Sequence, residues 1–258
     1  MSNLHEVFQK YGAVVFFDTE TTGLDATSCQ IIELAALRVE RLPNGNWTAD
    51  TIDLFVKLPE GQKIPEKIVE LTGITDYMLN YDGVTEAEAA AAFTDLLRVD
   101  RGPVLLVAHN AQFDLQFVRE MLRRHPVYVL DEDGMSEKIS HERETLLEMA
   151  DYLDSLTVFK DRRAYPHKLA NAIKAYKLED KVQNTHRAID DVAALFEVVK
   201  AMDNERADLL TYVNVFGYNP KYGVSGYRIK GVKYWPQQFN NYMQAPNYTL
   251  PARAKRRR

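Results

Sequence analysis

Two carboxylates stand at the end of an apolar run near the start of the chain. The segment AVVFFDTETTGL, residues 13–24, places Asp18 and Glu20 two positions apart, directly after five apolar residues. Because side chains alternate between the faces of a β-strand, a strand here would direct both carboxylates to one face. Mg²⁺ or Mn²⁺ would relieve their repulsion, since these ions favour carboxylate oxygens. A solvated strand end is the simpler explanation for a lone pair of acids, so a metal site requires further acids from elsewhere.

Two later segments supply such acids. HNAQFD, residues 109–114, follows an apolar run and places Asp114 in the first turn of a predicted helix. THRAIDD, residues 185–191, places Asp191 near the start of the last long helix, with His186 five residues before it. Strand ends and helix starts meet along one edge of an α/β sheet, so these acids can converge there. A favourable interaction with the helix dipole is the alternative explanation for Asp114 taken alone.

The motifs DTETTGL, HNAQFD and HRAIDD, in this order and at these separations, resemble the three exonuclease motifs of the DnaQ-like 3'–5' exonucleases. The resemblance covers roughly residues 12–202, includes LTGIT at 71–75, and is strongest to the PolC-type and epsilon-type proofreading domains. It implies a site for two divalent ions, Mg²⁺ or Mn²⁺, with four carboxylate ligands: Asp18, Glu20, Asp114 and Asp191.

The same resemblance assigns roles to further positions. It implies that His186 is the general base, and the usual histidine pKa of roughly 6.5 suits that task near neutral pH. A tyrosine-using subfamily has its phenol four residues before the last acid, where this chain has Arg187. Asp154 resembles a recurrent aspartate of the family and is expected to support the site rather than bind metal. The expected contacts of the terminal nucleotide are Thr21, Gly23, Leu24, Thr72, Asn110 and Phe113, although several of these residues could serve only to form turns.

The elements that must position these residues can be read from periodicity and turn signals. Three early strands, at 13–18, 30–40 and 50–58, are expected to pair antiparallel, the last two through a turn at Asn44-Gly45. Residues 102–110 read as a buried strand and 131–145 as an exposed polar excursion. The predicted helices lie at 83–99 with a capping box of Thr85 and Glu88, and at 111–125, 147–163, 167–178 and 186–202. This order predicts an α/β fold, and the resemblance implies a ribonuclease H-like mixed sheet flanked by helices.

Charge is distributed unevenly along the chain. The formal net charge is −5, yet the residues from Tyr212 to the end contain nine Lys or Arg and no Asp or Glu. We expect an exonuclease domain at 1–210, a basic aromatic extension at 211–250 that could form a small hairpin, and a basic disordered tail at 251–258. The extension offers candidates for phosphate neutralisation and base stacking: Lys221, Arg228, Lys230, Lys233, Tyr234 and Trp235. An aromatic hairpin packed on the core for stability is the alternative.

These observations predict one function and leave two alternatives. With Cys29 as the only cysteine and no apolar run of about 20 residues, the sequence excludes intrachain disulfides and predicts a cytoplasmic protein without a membrane span. We expect a stand-alone, metal-dependent 3'–5' exonuclease that releases nucleoside 5'-monophosphates from single-stranded or frayed DNA, with a polymerase or repair protein as a possible partner. The alternatives are an exoribonuclease that trims RNA and a non-catalytic module that binds nucleic acid or a polymerase.

Overall fold

A computed structural model describes residues 4–42, 46–130, 137–215, 218–219 and 223–224. Its strands, in chain order, are β1 Ala13–Thr21, β2 Ile31–Arg41, β3 Trp47–Phe55, β4 Val104–Ala108, β5 Val127–Leu130, β6 Glu137–Ser140, β7 Asp151–Asp154, β8 Tyr218–Asn219 and β9 Gly223–Val224. Five of them form one mixed sheet in the order β3-β2-β1-β4-β7. The first three pair antiparallel, as predicted, whereas β4 pairs parallel with both β1 and β7.

Helices cover both faces of this sheet. They are α1 His5–Lys10, α2 Glu66–Thr72, α3 Asp76–Asp82, α4 Glu86–Leu96, α5 Ala111–Arg124, α6 Glu142–Met149, α7 Ser155–Arg162, α8 Leu169–Ala175 and α9 Ala188–Glu205, followed by a 3-10 helix at Leu209–Tyr212. The capping box of Thr85 and Glu88 starts α4 as predicted. The predicted mixed sheet flanked by helices is therefore confirmed.

Successive side chains of β1 point to opposite faces of the sheet, so this strand packs against helices on both faces. Val15 and Phe17 pack into the core that contains α4 and α5, and the Phe17 ring contacts Phe93 at 5.5 Å between ring centroids. Val14 and Phe16 pack on the opposite face, where Phe16 contacts the ring of Phe196 on α9. Because the side chains alternate, Asp18 and Glu20 continue the α9 face and Thr19 continues the α5 face.

The prediction of one helix across residues 147–163 is wrong at its centre. Asp151–Asp154 form β7, which pairs with β4 and buries Tyr152 and Leu153 completely. Four residues between two helices carry too short an apolar pattern to be recognised, and the strand forms because β4 offers an edge for pairing. Residues 137–145, expected to lie in an exposed excursion, contain β6 and the start of α6.

Several predictions fall on parts of the chain outside the described residues. They concern the turn at Asn44-Gly45, residues 131–136 and the candidate contacts of the extension, Lys221, Arg228, Lys230, Lys233, Tyr234 and Trp235. The core itself continues past the 3-10 helix, since Val213 and Val215 are buried among the residues that pack on α9. Among the described residues, the helices are too short or too polar to cross a membrane.

Candidate active site

Four carboxylates from three elements converge at one end of the sheet. Asp18 and Glu20 lie in the second half of β1 and are half-buried. Asp114, in the first turn of α5, is 3% exposed, and Asp191, in the first turn of α9, is 6% exposed. The charges of the other three acids all act on Asp18. The structure therefore brings together the acids of all three motifs.

His186 lies beside two of these acids. One of its ring nitrogens and one carboxylate oxygen each of Glu20 and Asp191 lie within 4.8 Å of one another. The residue is exposed, and its backbone is left-handed with a φ of 59°. This conformation is uncommon outside glycine and persists only where the surrounding structure holds it. The spacing fits either a cation held by the three side chains or a water molecule between the imidazole and the acids.

The two most buried acids are each oriented by a neighbouring donor. One oxygen of Asp114 accepts hydrogen bonds from the Thr19 backbone N–H at 3.1 Å and from the Thr19 hydroxyl at 2.8 Å. One oxygen of Asp191 accepts a bond from the Asn184 side-chain amide at 2.6 Å. β1 thus carries two acids on one face and fixes a third through its other face. The carboxylates are held in place by the protein itself, as metal ligands usually are.

Asp154 ties the turn before Asp114 to the rest of the site. One of its oxygens accepts bonds from the backbone N–H groups of Asn110 at 2.9 Å and Ala111 at 3.3 Å. The same carboxylate caps α7, accepting from Leu156 N–H at 3.1 Å and from the Thr157 hydroxyl at 2.7 Å. Asp154 is 2% exposed and its oxygens are occupied. These contacts agree with the supporting role expected from the sequence.

Burial and crowding raise the pKa of every acid in the cluster. Burial raises the pKa of Glu20 to about 8, with the charges of Asp191 and Glu33 adding to the effect. The pKa of Asp114 rises to about 7 and that of Asp191 to about 6, again mainly through burial. For Asp18, burial and the charge of Asp114 raise the pKa well above its usual range. Metal-free protein therefore holds protons where cations would otherwise balance the charge.

A fifth carboxylate next to the site was not singled out by the sequence. Glu33 lies on β2 directly opposite Glu20 and has no exposed surface. One of its oxygens accepts from Arg187 at 2.9 and 2.7 Å, and the other accepts from the Ala188 N–H at 2.8 Å. The available signal was a lone acid inside the apolar run IIELAAL, since a buried charge requires a partner.

Three of the residues predicted to contact the nucleotide are accessible. Leu24, in the loop after β1, has 88% of its surface exposed. Asn110 is exposed and left-handed, with a φ of 75°, directly before α5. Phe113 is half-buried in the first turn of α5, where its ring contacts Phe117 at 4.9 Å between centroids. Their contact with a nucleotide stays a prediction.

The other three have partners within the protein. The Thr21 hydroxyl donates to the carbonyl oxygen of Gly23 at 2.7 Å. A Cβ atom at Gly23 would lie 2.6 Å from the sulfur of Cys29, so a larger residue there would require the Cys29 side chain to move. The buried Thr72 hydroxyl donates to Ile68 O at 2.9 Å and accepts from Ile74 N–H at 3.1 Å, which closes the turn between α2 and α3. Their roles as substrate contacts also stay predictions.

The donor set indicates which cations the cluster suits. Its four acids offer carboxylate oxygens, which are the preferred ligands of Mg²⁺ and Mn²⁺. Cys29 is the only cysteine of the chain, so a thiolate-rich site is excluded. Burial and the neighbouring acids raise the pKa of Glu20 to about 8, which indicates that the site favours positive charge, whether from protons or from metal cations. The residues present therefore fit divalent cations with a preference for oxygen ligands.

Comparison with known proteins places the chain among exonucleases. The family model RNase_T, described as an exonuclease, matches residues 15–199. The PolC-type DNA polymerase III of Bacillus cereus is 33% identical over 180 residues, which cover 70% of this chain and 10% of the polymerase. The corresponding protein of Oceanobacillus iheyensis is 32% identical over 213 residues, covering 81% of this chain and 13% of that protein. The chain thus spans only about a tenth to an eighth of the length of these relatives.

Solved structures share the fold. Escherichia coli exonuclease I in complex with a dT13 oligonucleotide matches with a TM-score of 0.61 and 20% identity, over 81% of this chain and 45% of that one. A zinc-bound form of the same exonuclease with single-stranded DNA matches with a TM-score of 0.59 and 21% identity, over 79% and 43%. The resemblance predicted from the three motifs is confirmed, and this chain belongs to the RNase_T exonuclease family, with the DnaQ-like fold.

Proposed function

We propose that this chain is a metal-dependent exonuclease that hydrolyses the terminal phosphodiester at the 3' end of single-stranded or frayed DNA. The observation that carries the proposal is the convergence of four carboxylates with His186 at one end of the sheet. Two bound divalent ions would activate a water molecule, neutralise the phosphate and stabilise the leaving 3'-oxygen. The attacking group is this water molecule, so no side chain of the cluster needs to form a covalent bond with the substrate.

The protein groups have distinct tasks in this reaction. The four acids would hold the cations, two of them on β1, one on α5 and one on α9. His186 accepts the proton of the attacking water, since its ring is exposed and lies beside Glu20 and Asp191. Because its backbone is part of the loop before α9, the imidazole can adjust when substrate binds. The product would be a nucleoside 5'-monophosphate and a strand shortened by one residue.

Single-stranded DNA is the substrate we favour. The related exonuclease I structures were solved with DNA oligonucleotides, and the sequence relatives are DNA polymerases. Leu24 and Asn110 offer an exposed apolar and an exposed polar side chain at the two turns beside the acids. Association with a polymerase or a repair protein, and a cytoplasmic location, stay predictions.

The test is a panel of 5'-labelled single strands with matched DNA and RNA sequences. In Mg²⁺ or Mn²⁺ we expect a ladder that shortens from the 3' end on DNA, no cleavage in EDTA, and none by Asp18→Asn. Phosphorothioate linkages at the 3' end should block the reaction, whereas the same linkages at the 5' end should not. Faster degradation of RNA would identify an exoribonuclease, and binding without cleavage in either metal would identify a non-catalytic module.

A further inference from the structure

Glu33 is the most completely buried charge near the acid cluster. It lies near the start of β2, has no exposed surface, and is paired across the sheet with Glu20. Burying a carboxylate beside other carboxylates is costly unless its oxygens are fully paired. Both oxygens are used, one by the Arg187 guanidinium through two nitrogens and the other by the Ala188 N–H. The donors to both oxygens therefore come from one short segment, while the Asp53 carboxyl on β3 lies against Glu33 as a further acid.

That segment joins the two parts of the site that come from the C-terminal half of the chain. Arg187 directly precedes α9, and Ala188 is the first residue of this helix. His186 stands immediately before the pair, and Asp191 follows one turn later. The guanidinium also lies over the Phe55 ring, 4.9 Å from its centroid, which leaves it little freedom. Glu33 thus clamps the start of α9 to the strand beside the one that carries Glu20.

We propose that Glu33 and Arg187 are positioning residues that set the separation between Glu20 on one side and His186 and Asp191 on the other, and so pre-organise the cation site. The inference rests on the proposed function. Glu33 itself does not bind a cation, because its oxygens already accept three hydrogen bonds at 2.7 to 2.9 Å. Glu33 and Arg187 would therefore act like the residues around metal sites that do not bind the metal but orient the side chains that do.

Variants of Arg187 distinguish a positioning role from a purely electrostatic effect on cation binding. If only electrostatics mattered, Arg187→Met would remove a positive charge near the cluster and strengthen binding of a divalent cation, and Arg187→Lys would leave binding unchanged. Positioning predicts that both variants weaken binding, since neither can offer two guanidinium nitrogens to Glu33. Glu33→Gln should weaken it as well, because an amide cannot accept from both partners.

The experiment measures Mn²⁺ affinity of the full chain by the paramagnetic resonance signal of free Mn²⁺. We expect Glu33→Gln, Arg187→Met and Arg187→Lys to lower the affinity by about 10- to 100-fold, the range typical of residues that orient metal ligands. The matched control is Asp208→Asn, which breaks a buried pair with Arg162 at the opposite end of α9. This helix has 18 residues and is about 27 Å long, so the control should stay within about twofold of the parent.

The outcomes separate this inference from the proposed function. Unchanged or tighter Mn²⁺ binding by Arg187→Met or Arg187→Lys would overturn the positioning role, even if Glu33→Gln binds more weakly or fails to fold. Melting temperatures in EDTA identify variants that have lost only stability, as we expect for Asp208→Asn. A parent protein that binds Mn²⁺ but leaves single-stranded DNA intact would refute the exonuclease proposal, while the comparison of affinities would still test the pair.

Discussion

Burial holds the pKa of each acid of the cluster above its usual value. Near neutral pH an ordinary carboxylate is ionised, yet the pKa of Glu20 is raised to about 8 and that of Asp114 to about 7. Burial is the leading cause in both, and the charges of neighbouring acids add to it at Glu20. A cation that binds here must displace these protons, so metal affinity should rise with pH until the acids are ionised.

The same pKa shifts predict how the stability of metal-free protein depends on pH. A folded-state pKa raised above the unfolded value means that folded protein binds protons more tightly, so stability present at low pH is lost as pH rises through about 8. We expect the free energy of unfolding in EDTA, from urea titrations, to fall between pH 5 and 8.5. Glu20→Gln should recover about 1–2 kcal/mol at pH 8.5, less than the full shift because water reaches part of the site.

Two comparisons check this prediction. Glu60→Gln, which replaces an exposed glutamate, should show the same loss of stability with pH as the parent. Saturating Mg²⁺ should stabilise the parent at pH 8.5 and stabilise Glu20→Gln less, because binding to the folded state adds to its stability. A parent whose stability rises between pH 5 and 8.5 in EDTA would contradict the description of the acids as crowded and protonated.

His186 poses a separate question, because its position suits a general base and also a ligand. If it is the base, His186→Ala should lower kcat by about 10²- to 10⁴-fold and leave Mn²⁺ affinity within a few-fold, since the four acids remain. Asp18→Asn should instead lose both activity and metal binding. Single-turnover cleavage rates and Mn²⁺ titrations measure the two effects. A loss of Mn²⁺ affinity by His186→Ala as large as that by Asp18→Asn would show that the imidazole is a ligand.

What could be predicted residue by residue depended on whether the signal was local. The acids were found because each stands in a short motif, and two residues apart on a strand is a spacing that geometry interprets directly. The pair of Glu33 and Arg187 was missed because its members are 154 residues apart. No local pattern records such a contact, although a lone acid in an apolar strand indicates that a partner exists.

At the scale of elements, β7 matters because it places Asp154 beside the turn that leads into α5. Its last residue, Asp154, holds the backbone before α5 and also caps α7, so one side chain orients two helices. β7 pairs parallel with β4, and both strands end at the same edge of the sheet. The start of α5, which carries Asp114, is thereby fixed from the side opposite to Thr19.

Asp154→Ala should therefore cost more than the loss of an ordinary helix cap. It leaves the N–H groups of Asn110, Ala111 and Leu156 without their acceptor, and each such group costs about 1–3 kcal/mol when buried. We expect a loss of at least about 3 kcal/mol in urea unfolding. The control is Thr75→Ala, which removes the single cap of α3 and should cost about 1 kcal/mol. Equal losses in the two variants would refute the linking role.

Sequence patterns predicted the elements that are stabilised by residues close to one another in the chain. β1 and β2 have long apolar runs, and α4 begins with a complete capping box. β7 has four residues, of which two are apolar, and it lies between helices, so the pattern favoured a helix. Its strand conformation depends on pairing with residues more than 40 positions earlier. Tertiary pairing outweighed local preference here, as it commonly does for short strands.

At the scale of the whole molecule, charge separates the chain into an acidic part and a basic part. Before Tyr212 there are 23 basic and 37 acidic residues, whereas the remainder has nine basic and no acidic ones. The acidic part carries the candidate active site and would repel a nucleic-acid backbone at long range. A basic segment on the same chain would offset this repulsion and raise the local concentration of substrate.

If the C-terminal segment binds the strand, its removal should change the salt dependence of DNA binding. A chain ending at residue 217 keeps the buried Val213 and Val215 and lacks all nine basic residues of the segment. The logarithm of the affinity for an oligo-dT, from fluorescence anisotropy in EDTA, falls with the logarithm of salt by about 0.7 per neutralised phosphate. We therefore expect the slope to become shallower by up to about six.

Point variants of the full chain distinguish charge from stacking in this segment. Changing Lys221, Arg228, Lys230 and Lys233 to glutamine should reduce the slope by up to about three, because each phosphate contact contributes about 0.7. Trp235→Ala should lower the affinity about equally at every salt concentration, since loss of base stacking releases no counterions. Equal slopes for the full and shortened chains would show that the segment does not bind the phosphates of the strand. The segment would then serve to stabilise the core, and the shortened chain should melt at a lower temperature.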